Sequence, residues 1–162
     1  MVETLNLWLA LGLGTGLSPI APGTVGSLLG VPVAWWLLGR PLSRQAWVIA
    51  LLLVLAVPVC HFASLQFAGS DHGGIVADEI VAFPLAVIGL RALRHPLGMA
   101  LAFAVYRVFD GLKPPPIHLA ERVSGGFGIV LGDTVAAIAA WLVVAAGLFV
   151  WQRYRARGSG AI

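Results

Sequence analysis

The sequence predicts an all-α protein, a polytopic membrane helix bundle of about five to six helices, some of them short or interfacial. Composition is the first reason. Of 162 residues, 59% are hydrophobic and only 10% are charged, and mean hydropathy is +0.94. The second is that residues 46–68 and 134–152 carry no formal charge, each approaching the roughly 20 residues that cross a bilayer. The third is the lack of any alternating strand pattern, internal repeat or composition break. One membrane-embedded domain is therefore expected over residues 1–152, followed by a basic tail at 153–162.

The elements follow in order. Residues 5–17 are apolar and read as a helix. Two prolines and two glycines within 18–27 break it, and a helix restarts near Thr24 or Val25 and runs to about Leu38. Arg40, Pro41 and Arg44 make a turn before a helix over about 45–68. A helix over about 76–90 has Pro84 inside it as a predicted kink. Arg91 to Pro96 form a turn, and a helix over about 97–113 stops at Pro114-Pro115-Pro116. Residues 114–132 read as a polar, glycine-rich connection, and the last helix is expected from Asp133 to about Trp151. Glu3 stands where a cleavable leader would carry a positive charge, so no such leader is expected.

Several function classes are disfavoured. Cys60 is the sole cysteine, which excludes an intrachain disulfide framework. Net charge is only +3 and the basic residues do not form a stripe with aromatics, so nucleic acid is not an expected partner. Arg153, Arg155 and Arg157 follow an apolar helix and suit a headgroup anchor or topology signal. Position 66 is Gln, so Cys60 lacks the arginine of a cysteine-phosphatase loop. There is also no Asp-x-Asp-x-Thr signature and no Gly-x₄-Gly-Lys-Ser/Thr loop.

Six of the seven carboxylates fall between residues 71 and 133. An ionised carboxylate at membrane depth costs about 3 kcal/mol or more unless it is paired, hydrated or metal-bound. Asp71, Asp78, Glu79, Asp110 and Asp133 are hard oxygen donors that together suit Mg²⁺, Mn²⁺ or Ca²⁺. Each also has a structural reading. Asp71 can cap a turn, Asp133 can cap the last helix, and Asp78 and Glu79 suit the first turn of a helix. Asp110 sits where the helix dipole opposes a negative charge. Arg107 and Lys113, each three residues away, make either an ion pair with it or a phosphate-binding face around a metal ligand. Thr24 and Ser27 follow the Pro/Gly loop, where free N–H groups can take a phosphate or the small residues can serve packing. His72 is a candidate general acid, a headgroup contact or an ordinary loop histidine. Glu121 reads as a solvated loop residue.

Four segments in order resemble the phosphatidylglycerophosphatase A family: Gly16–Ser27 (GLSPIAPGTVGS), Asp71–Glu79 (DHGGIVADE), Arg107–Pro114 (RVFDGLKP) and Gly125–Asp133 (GGFGIVLGD). The resemblance covers about residues 7–150. It implies Mg²⁺-dependent hydrolysis of phosphatidylglycerophosphate to phosphatidylglycerol and inorganic phosphate, in a bacterial inner membrane. The expected site then has Asp78, Glu79, Asp110 and His72 in catalysis. Asp71, Asp78, Glu79, Asp110 and Asp133 hold metal, and Arg107, Lys113, Thr24 and Ser27 hold phosphate. The partners are the phospholipid substrate and membrane lipids. A phosphatase of another lipid phosphomonoester and a small ion-coupled transporter remain rival readings. The substrate is made in the cytoplasmic leaflet, which puts the site at the cytoplasmic face. The positive-inside rule favours the opposite end, where Arg40, Arg44, Arg91, Arg94 and the tail arginines gather.

Overall fold

A computed structural model describes residues 2–67, 72–115, 117–120 and 123–158, and no strand occurs among them. Helix α1 spans Val2–Ala10. It stops earlier than the apolar pattern suggests because Gly12, Leu13 and Gly14 all take positive φ, and the chain continues through a 3₁₀ turn at Thr15–Leu17. Pro22 opens α2, Pro22–Ser27, at the helix position where a missing N–H costs nothing. Helix α3 is Gly30–Leu38, and α4 is Leu42–Gln66.

Helix α5 is short, Ala77–Ala82. The kinked helix expected over 76–90 is broken instead: Phe83–Val87 form a 3₁₀ segment with Pro84 in its first turn. Helix α6 spans Pro96–Leu112. His95 Nδ1 accepts the Gly98 N–H at its start, and Lys113 closes it in a left-handed conformation. Helix α7 is one turn, Ile117–Ala120, and α8 is Gly126–Gly158.

The start of α8 corrects an expectation. Residues 126–132 read as glycine-rich connection, yet they are helical. Their glycines serve close packing: a Cβ on Gly126 would lie 2.5 Å from the His61 backbone nitrogen in α4. Asp133 is therefore about two turns inside a helix, not at its N-cap. The far end also extends beyond Trp151. Arg153 and Arg155 stack on Phe149 and Trp151, with guanidinium-to-centroid distances of 4.6 and 4.7 Å, each one turn back.

Two apolar clusters hold the bundle, and α8 contributes to both. One joins α3, the 83–87 turn, α6 and α8 around Phe83, Tyr106 and Ala136. The other joins α1, α4 and α8 around Cys60, Ile75 and Val130. Trp141 Nε1 donates to the Ile88 carbonyl at 2.9 Å, tying α8 to the chain after the 3₁₀ turn. Leu42–Gln66 and Gly126–Arg157 are long and apolar enough to cross a bilayer, and only 28% and 17% of their apolar stretches are buried. That low burial distinguishes them from the buried core helix of a water-soluble domain.

Candidate metal and phosphate site

Glycines first determine how the site is assembled. The N-terminal segment packs directly on the segment that carries Asp78 and Glu79. A Cβ on Gly26 would lie 2.5 Å from the Val76 Cβ, and one on Gly30 would lie 2.6 Å from the Ile80 carbonyl oxygen. Gly16 meets the Gly74 backbone in the same way. Ala10 O accepts the Val76 N–H at 2.8 Å and aligns the two segments. The consequence appears at Gly23: a Cβ there would come within 2.9 Å of Glu79 Oε2 and 3.0 Å of Arg107 Nη2. The bare backbone leaves room for that ion pair.

Three helices then bring acids together. Glu79 lies in the first turn of α5, Asp110 in the last turn of α6 and Asp133 inside α8. One oxygen of each lies within 4.8 Å of the other two. Asp110 and Asp133 are each 3% exposed and Asp78 is 4% exposed. The charges of Asp78, Asp110 and Glu79 all reach Asp133.

Arg107 is the cation at this cluster's edge. Its Nη1 donates to Glu79 Oε2 at 3.0 Å and to Asp110. The same nitrogen donates to Ser27 Oγ at 3.2 Å, and Ser27 Oγ lies 2.9 Å from Glu79 Oε2 and against the Gly23 carbonyl. The pair expected within one helix is thus a contact among α2, α5 and α6. Burial pushes the Glu79 carboxyl from 4.5 up to about 7. Arg107 pulls it back, Asp110 raises it further, and Ser27 and Lys113 lower it.

Asp133 Oδ2, the Tyr106 hydroxyl and Arg107 Nε are buried without a hydrogen-bond partner among the described residues. A buried polar atom is seldom left so. Three carboxylate oxygens within 4.8 Å of one another repel unless a cation lies among them. The donor set is all oxygen, so this acidic triad suits a hard metal ion.

Lys113 and Ser27 join this centre through Glu79. Lys113 follows α6 at φ 44 and ψ 52, partly buried, with its charge reaching Glu79. Thr24 is partly buried within α2. Ser27 ends α2 rather than opening it, so its hydroxyl meets Glu79 and Arg107 instead of extending a helix N-terminus. His72 is exposed; it stacks on Phe67 with centroids 4.2 Å apart, and its Nδ1 accepts the Gly74 N–H at 3.1 Å. Asp71 and Glu121 lie outside the described residues. The sequence marks Gly23 only as a small packing residue and does not single out Tyr106. Tyr106 stands four residues before Asp110, one turn along the same helix face, and its phenol lies in the field of Asp133, Asp110, Glu79 and Asp78.

Comparison with known proteins shows the family. The family model described as phosphatidylglycerophosphatase A matches residues 8–148. The chain belongs to the phosphatidylglycerophosphatase A family. It is 36% identical over 136 residues to the phosphatidylglycerophosphatase A of Escherichia coli (strain K12), covering 82% of this chain and 78% of that protein. It is 40% identical over 139 residues to the phosphatidylglycerophosphatase A of Haemophilus influenzae, covering 84% of each. No solved structure matches the chain. The family match contains all four segments in which the acids, Arg107 and the small-residue helix α2 occur.

Proposed function

We propose that this chain is a Mg²⁺-dependent lipid phosphatase that hydrolyses phosphatidylglycerophosphate to phosphatidylglycerol and inorganic phosphate. The observation that carries the reading is the convergence of Glu79, Asp110 and Asp133 beside Arg107, in a chain of this family. Glu79, Asp110 and Asp133 would hold Mg²⁺, with Asp78 and Asp71 completing the ligand set. The bound ion supplies a Lewis acid for the phosphoryl oxygens and lowers the pKa of water.

The chain's own groups supply binding and proton transfer. Arg107, whose side chain is partly exposed beside Glu79 and Asp110, would take phosphoryl oxygens. A guanidinium binds such oxygens in a fork. Lys113 adds a second positive charge, and Thr24 a hydroxyl from α2. Ser27 holds Glu79 and Arg107 in register. Glu79 or Asp78 would take the proton of the attacking water. Water oxygen bonds to phosphorus as the phosphorus–glycerol oxygen bond breaks. His72, exposed near the surface, returns a proton to the glycerol alkoxide.

Acyl chains would lie against exposed apolar helix faces, so acyl preference is loose. The chain belongs in this reading to a bacterial inner membrane as a multi-pass protein, with the site at the cytoplasmic face where its substrate is made. Phosphate release by purified protein in detergent, with Mg²⁺ and then with EDTA, tests the activity. No metal-dependent release from folded protein would overturn it. Competition with phosphatidate and a polyprenyl phosphate separates the other lipid-phosphatase reading.

A further inference from the structure

The segment between α1 and α2 has no role in the chemistry above, yet it is built in an unusual way. Leu13, Leu17 and Ile20 are 71%, 65% and 79% exposed. They do not belong to an α-helix, so the ordinary explanation for exposed apolar residues on a spanning helix does not apply. Two non-glycine residues bracket the segment in the left-handed region, Leu13 at φ 56 and Ala21 at φ 47. Such backbone is unfavourable for residues with a Cβ, and for a bulky one it is an outlier.

The segment is nonetheless well tied down. Leu13 N–H donates to the Trp8 carbonyl at 2.8 Å, Gly16 N–H to Leu11 at 3.0 Å, and Ser18 Oγ to the Ile20 carbonyl at 2.9 Å. A loop held in strained backbone by its own hydrogen bonds presents these side chains in a set position. Its underside rests on the Gly74 backbone, and it leads directly into Gly23 and Ser27 beside Glu79.

We propose that this loop is an interfacial docking surface, with Leu13, Leu17 and Ile20 seated in the headgroup–acyl boundary of a phospholipid bilayer. Two constraints select that occupant. Irregular backbone is not stable against hydrocarbon, because its polar groups need water or protein partners. Three large apolar side chains are equally unfavourable in bulk water. The boundary satisfies both, as it does for amphipathic segments lying in the membrane surface. The loop's continuity with α2 then places the lipid surface beside the acid cluster, so a headgroup reaches Arg107 while its acyl chains remain in the bilayer.

The position of the loop can be read without any activity. In a Cys60→Ala background, Leu17→Cys is labelled with a small fluorophore and placed in phosphatidylcholine vesicles. Nitroxides are carried either near the headgroup or deep in the acyl chain. Stronger quenching by the shallow nitroxide is expected. Quenching by neither, or more by the deep one, overturns the proposal. A kinetic arm rests on the phosphatase reading. The Leu13→Asn/Leu17→Ser variant should raise KM for long-chain phosphatidylglycerophosphate in vesicles about tenfold, and leave kcat/KM for a monomeric short-chain analogue unchanged. Asn tolerates the left-handed backbone at position 13, so thermal stability should not fall. Equal losses on both substrates, or no loss on either, would overturn the docking role. Failure of the phosphatase reading shows differently, as no turnover by the parent chain on either substrate.

Discussion

The two ends of the bundle both concentrate charge, and they manage it in opposite ways. At the arginine end, Arg91 donates to the Arg40 carbonyl at 3.2 Å, Arg94 to the Trp35 carbonyl at 3.2 Å, and Arg40 stacks on Trp36 at 4.6 Å. Those carbonyls lie in or just after the last turn of α3, where a helix presents unpaired acceptors and a partial negative charge. The cations there complete a helix terminus at the surface. At the other end, Asp78, Glu79, Asp110 and Asp133 cluster, with Arg107 pairing Glu79 and Asp110 at the edge and the Lys113 charge reaching Glu79. Negative charge is in excess and is buried. A charge that completes a helix end is structural, whereas a buried excess of one sign is costly unless a ligand of the opposite sign arrives.

The sharpest way to break this contrast is to remove one acid. Asp110→Asn should lower phosphate release by about 10²–10³-fold, the scale of losing one electrostatic element of a site. Without metal, its melting temperature should change little, since relief of repulsion from Glu79 and Asp133 offsets the lost Arg107 ion pair; a large drop in helical signal would make Asp110 structural.

Arg107→Met tests the cation. It leaves Glu79 and Asp110 without their shared partner, and breaking such a largely buried pair costs about 2–4 kcal/mol. Chemical denaturation at pH 8 in EDTA should show that loss, and turnover should vanish with it. Arg94→Met at the opposite end should cost about 1 kcal/mol or less and leave turnover intact. Comparable losses for the two variants would erase the distinction between the ends.

Glu79 gives the comparison a pH dependence. Its carboxyl is raised from 4.5 to about 7 in the fold, so between these values the folded chain holds a proton that the unfolded chain has lost. Without metal, stability should therefore fall as pH rises from about 4.5 through 7. Metal competes with that proton, so Mg²⁺ should bind more weakly as pH falls below about 7, with the thermal shift from MgCl₂ shrinking accordingly. Melting curves across pH with and without Mg²⁺ check both slopes, and Glu79→Gln should flatten them. A stability that instead rises with pH through this range would refute the raised carboxyl.

The smallest expected change is at Gly23. Gly23→Ala puts a methyl against Glu79 Oε1, 2.9 Å from Glu79 Oε2 and 3.0 Å from Arg107 Nη2. Turnover should fall about tenfold, the order of effect that a slight displacement of reacting groups produces, with melting nearly unchanged. Parent-like turnover would show that the Glu79–Arg107 pair yields without consequence.

Much of this protein is legible in one dimension. The uncharged runs at 46–68 and 134–152 locate the cores of α4 and α8, because a bilayer selects on length and polarity alone. The acids stand out in an apolar chain because buried charge needs a reason, and four ordered segments suffice for the family. Proline and glycine are less readable, since the same residue breaks a helix or lets two helices touch. Pro84 ends α5 outright, while Gly126 and Gly128 belong to α8. Only the tertiary structure decides that Asp133 is an interior residue facing Asp110, that Arg107 joins three helices, and that Gly23 gives Glu79 its space. Those facts depend on which helix faces meet. Helix positions follow from local periodicity, but facing positions follow from the packing of all the helices at once.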